Sequence, residues 1–131
     1  MGGFSNYWEN KILDHLFGKG SYTPPTIHVA LSTADPLDDS SGMGEPSGNG
    51  YARAETSASD WSTSSGGAVC NASNISFPTA GGSWGTITHF ALFDSATGGN
   101  MLAHGALDQP KVIGASDTGK FDAGDLEIGL D

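Results

Sequence analysis

Residues 83–94, Ser-Trp-Gly-Thr-Ile-Thr-His-Phe-Ala-Leu-Phe-Asp, place apolar positions on both sides of a period of two, and this pattern predicts a long strand that runs into a hairpin turn. Ile87, His89, Ala91 and Phe93 fall on one face, and Thr88, Phe90, Leu92 and Asp94 on the other. Apolar groups on both faces predict a strand covered on both sides. Gly98-Gly99-Asn100 supplies the backbone freedom of a tight reversal, and residues 100–107 are placed to pair back antiparallel. Shorter strand patterns occupy residues 26–33 (Ile27, Val29 and Leu31 on one side), 51–55, 74–77, 111–114, 120–121 and 126–130. In the last, Leu126, Ile128 and Leu130 alternate with Glu127 and Gly129. About eight short strands at intervals of roughly 8–12 residues predict an antiparallel sandwich or barrel.

The first 17 residues follow a different period. Trp8, Ile12, Leu13, Leu16 and Phe17 form one apolar stripe at helical spacing. Ser5 or Asn6 is placed to cap the start, Glu9 stands three residues after Asn6, and Gly18 follows the last apolar residue. The Pro24-Pro25 pair forbids continuation. A helix this short is marginal alone and must dock its apolar face on the body or on a partner. Residues 34–50 form a long polar loop, beyond the usual connection length. The expected architecture is a mainly β single domain over residues 1–131. A short N-terminal α-helix (1–18) precedes an antiparallel, jelly-roll-like β-sandwich (26–131).

Charge narrows the function. Five Lys plus Arg stand against 15 Asp plus Glu, a formal net charge of -10. That disfavours nucleic acid, whose affinity comes mainly from Lys and Arg, and equally an anionic membrane surface. No apolar run approaches the ~20 residues that span a bilayer, and no basic-then-apolar leader opens the chain. The 20 glycines are spread as turns are in a many-stranded protein. The single cysteine, Cys70, forbids an intrachain disulfide and reads as incidental. Two acceptor patterns for N-glycosylation, at Asn71 and Asn74, read as chance in a Ser/Asn-rich stretch.

No catalytic constellation emerges: there is no nucleophile elbow, phosphate loop or dinucleotide fingerprint. Asp35, Asp38, Asp39 and Glu45 are weak candidates for a calcium site, because their spacing departs from the regular calcium loop. A second acidic group comprises Asp117, Asp122, Asp125 and Asp131. His28, His89 and His104 lie on expected strands but lack the close spacing of a zinc site. No other cofactor is implied. The aromatic residues Trp8, Trp61, Trp84, Tyr7, Tyr22 and Tyr51 suit protein or sugar contacts, with Trp61 the best surface candidate.

Four colinear segments carry a resemblance. They are residues 3–18 (Gly-Phe-Ser-Asn-Tyr-Trp-Glu-Asn-Lys-Ile-Leu-Asp-His-Leu-Phe-Gly), 25–36, 45–53 (Glu-Pro-Ser-Gly-Asn-Gly-Tyr-Ala-Arg) and 77–100. Together they resemble a family of small tailed-bacteriophage virion proteins. Its members are usually labelled tail fibre or minor tail proteins, and some are capsid-surface components. The resemblance implies a structural protein on the outer surface of head or tail, without catalytic residues. It would act by assembly with itself as a homo-oligomer and with other virion proteins, whether tail proteins or the major capsid protein. Trp8, Ile12, Leu16 and Phe17 are the expected docking residues, followed by the 34–50 loop. A carbohydrate-binding module for host attachment is the alternative, with Trp61 as its centre, and a hydrolase of host surface polymers a third.

Overall fold

The computed structural model describes residues 2–130. The protein is mainly β, with antiparallel sheets and one α-helix. Its elements are β1 (Gly3–Phe4), α1 (Asn6–Leu16), β2 (His28–Ser32), β3 (Ala54–Glu55), β4 (Ala68–Cys70), β5 (Ile75–Thr79), β6 (Gly85–Phe93), β7 (Met101–Ile113), β8 (Thr118–Phe121) and β9 (Glu127–Gly129). A 3₁₀ turn, Ala58–Asp60, precedes β4.

One sheet organises the molecule. Its order is β1-β7-β6-β2-β3, and the short pairs β4-β9 and β5-β8 complete a sandwich-like arrangement. The main core lies between them. Val29, Leu31, Phe90 and Leu92 from the large sheet meet Ile75, Phe77, Leu126 and Ile128 from the two pairs. On the reverse face Ala30, Ala91, Phe93 and Met101 form a smaller cluster, covered by Met43 of the long loop. β2 is therefore buried on both faces throughout.

β6 is also covered on both sides, as its pattern predicts, but its faces are not those of strict alternation. Ile87 joins Phe90 and Leu92 in the main core, whereas Ala91 and Phe93 lie on the reverse face. The ladder is irregular between Ile87 and His89, which pair with Lys111 and Ala106. Residues 107–110 of β7 have no partner there, and such an insertion reassigns side chains to faces. Pro110 falls in this unpaired stretch, where a missing N–H breaks no ladder bond. The expected separate strands at 100–107 and 111–114 are thus one strand, β7. The strand expected at 51–55 shrinks to β3, and Pro78 lies inside β5 rather than ending it.

Ser5 caps α1: its Oγ accepts from the Trp8 N–H (3.2 Å) and donates to the Met101 carbonyl of β7. The Ser5 N–H donates to Leu102 O (2.9 Å), so the helix start is fastened to the sheet. Gly18, at φ 73°, ends the helix in the left-handed conformation.

Candidate functional site

The most organised polar cluster ties the long loop to the body. Arg53, the chain's one arginine, is 6% exposed and grips Glu45 with two parallel bonds, Nε to Oε2 (2.8 Å) and Nη2 to Oε1 (2.9 Å). Its Nη1 donates to the carbonyls of Ser95 and Gly98 (both 2.8 Å), inside the β6–β7 hairpin. The guanidinium also stacks over Phe93, 3.8 Å from the ring centroid. Tyr51 donates to Glu45 Oε2 (2.6 Å), accepts from the Leu31 N–H (3.1 Å) and packs edge-on against Trp84. Burial, then the bond to Glu45, pushes the Tyr51 phenol well above its ordinary value of 10.0. These bonds join loop, sheet and hairpin, so the cluster is a clasp between them.

That clasp engages one of the four calcium candidates, Glu45. The others are also engaged. Asp35 Oδ1 accepts from the Leu37 N–H (3.0 Å), and Asp38 Oδ1 lies 2.8 Å from His104 Nε2 on β7. The Ser41 hydroxyl and amide hold the Asp39 carboxyl below the usual carboxylate range. Among the described residues, no three His, Cys, Asp or Glu are grouped to hold a metal ion. His28 and His89 sit at opposite ends of the β2–β6 ladder, and His104 stands opposite Ala91. The strand histidines are therefore not brought together.

The aromatic residues do not gather either. Trp84 is buried and donates from Nε1 to Asn49 O (3.0 Å). Tyr7 and Tyr22 flank Lys11, whose Nζ lies 5.3 and 4.4 Å from their ring centroids. Trp61 is half-buried against the main core, and its indole N–H is taken by Thr56 Oγ1 (2.9 Å). Asn71, the first glycosylation pattern, is buried: it donates to the Ser73 and Asp122 carbonyls and accepts from the Leu126 N–H.

Two apolar surfaces stand out among the described residues. On α1, Trp8 and Ile12 are half-buried on the body side, whereas Leu13, Leu16 and Phe17 are 52%, 71% and 69% exposed. The expected stripe is therefore split between two faces, with Leu13 joining the outer one. The second surface is a groove of about 940 Å3 where the main core opens between the large sheet and the β4-β9 pair. Phe4, Ile27, Leu92 and Ile128 line it, and Trp61 and Leu130 stand along it. Sequence reasoning missed the groove because its walls come from five separated segments. It also missed the clasp, although a lone arginine among apolar neighbours was a signal.

The family model described as Podophage GP4 fiber I protein gp80 matches residues 3–129, and the chain belongs to that family. It is a phage fibre, hence virion, protein. No curated protein matches the chain. No helix of the described residues is long and apolar enough to cross a membrane.

Proposed function

We propose that the protein is a building block of a tail fibre or of its attachment to the particle, and that it works by assembly rather than by turnover. The family match across residues 3–129 carries this reading. The surface agrees with it: Leu13, Leu16 and Phe17, half to seven-tenths exposed, gain about 1–2 kcal/mol per side chain once fully covered. The partners are other copies of the chain and neighbouring virion proteins, on the outside of the particle, where a charge of -10 is kept away from packaged DNA.

Cryo-electron microscopy of the parent particle tests the placement. Density for this chain in the tail fibres is the expected result. Regularly spaced copies on the head shell would instead assign it to capsid decoration, and its absence from the particle would end the structural reading.

A further inference from the structure

We infer that the outer face of α1 from one copy seats in the apolar groove of a second copy, so that the protein self-associates head to tail. This deepens the assembly reading above and rests on it.

The two surfaces fit each other in shape and chemistry. Leu13, Leu16 and Phe17 stand at i, i+3 and i+4, the anchor spacing of a helix laid into a groove. The groove's volume of about 940 Å3 is ample for three such side chains, and its floor is the uncovered end of the main core. The helix cannot reach the groove of its own copy with this face. Its start is fastened to β7 through Ser5, and Trp8 and Ile12 occupy its body side, which leaves the outer face pointing away.

Charge selects the occupant. Among the described residues, Glu55 is the only charged one that lines the groove. Residues 1–20 hold Glu9 and Asp14 against Lys11 and Lys19 and are neutral, so the whole -10 resides in residues 21–131. The helix is thus the part of this chain that approaches another copy's acidic body with least repulsion. Lys19, exposed two residues beyond Phe17, offers a cation to Glu55 of the groove. Helix and groove are different patches, so the contact is heterologous and propagates into a ring or a filament.

Two variants and their mixture test this on the full chain. Leu16→Asp with Phe17→Asp spoils the helix face, and Ala58→Asp with Leu130→Asp spoils the groove; all four positions are exposed, and circular dichroism checks that both variants fold. Sedimentation velocity should show wild-type mass rising with concentration up to about 1 mM, and each variant alone at least about tenfold weaker. Mixing the variants leaves one intact helix and one intact groove per pair. The mixture should form complexes that stop at two copies. A wild-type chain that stays monomeric, a variant that associates as well as wild type, or a mixture that does not pair would overturn the inference. Such a result leaves the fibre reading standing if the particle still shows this chain with another virion protein in the groove. A particle without the chain would remove that reading instead.

Discussion

Arg53 ties the long loop, the sheet and the β6–β7 hairpin together through one side chain. Its side chain is 6% exposed, bidentate to Glu45, bonded to two hairpin carbonyls and stacked on Phe93. Removing Arg53 leaves Glu45, whose side chain is 22% exposed and keeps the Tyr51 bond, without its cation, at a cost of about 1–3 kcal/mol. Arg53→Ala should lower the free energy of urea-induced unfolding by that amount, and a loss under about 1 kcal/mol would show the clasp to be a surface pair. Tyr51 adds a pH signature. Its folded-state pKa is raised, so the stability it contributes is complete below pH ~10 and is lost as pH climbs above it. The slope from one such proton is at most about 1.4 kcal/mol per pH unit. Tyr51→Phe should be less stable at neutral pH, because Glu45 and the Leu31 N–H each lose a partner, yet fall less steeply between pH 10 and 11. Parallel alkaline melting curves for the two proteins would refute the assignment.

At the scale of elements, much was legible in the sequence where pattern and punctuation coincide. The apolar stripe and Gly18 mark the end of α1, whereas the helix expected over residues 1–18 begins only at Asn6, because β1 takes Gly3–Phe4 and Ser5, one of the two expected caps, is the cap. Val29 and Leu31 fix one face of β2. The illegible parts depend on distant partners. β1 is two residues long and exists because β7 is beside it, and β4 exists because β9 is. The face exchange after Ile87 falls where the β6–β7 register breaks, which period counting along β6 alone does not register. The hairpin that follows allows a clean comparison. Gly98 and Gly99 both adopt positive φ (59° and 75°), but a Cβ on Gly98 meets open space, whereas one on Gly99 would lie 2.6 Å from Asp94 Oδ1. Asp94 Oδ1 is the acceptor of the Asn100 N–H (2.7 Å) that closes the turn. Gly98→Ala should cost about 1–2 kcal/mol, the left-handed backbone penalty alone. Gly99→Ala should cost more than that, since the closing bond must also move. Equal losses in thermal unfolding would mean that Asp94 yields without cost.

For the whole molecule, the balance between charge and apolar surface decides how copies meet. A compact chain of this length has a diameter of roughly 35 Å by the usual size scaling. Two such bodies in contact, each carrying -10, repel by roughly 12 kcal/mol in water without salt. That exceeds what one exposed Lys19–Glu55 pair returns, which is at most about 1 kcal/mol. At 0.15 M salt the Debye length falls to ~8 Å and most of the body-to-body repulsion disappears, while the apolar contact is untouched. Self-association should therefore strengthen as salt rises from about 0.01 M to 0.15 M, the reverse of the behaviour of a basic partner, whose attraction to this acidic surface salt would weaken. Sedimentation equilibrium across that salt range reads the sign directly. A constant that falls with salt would mean that ion pairs, not the exposed leucines and phenylalanine of α1, hold the copies together, and the docking face would have to be sought among the acidic loops instead.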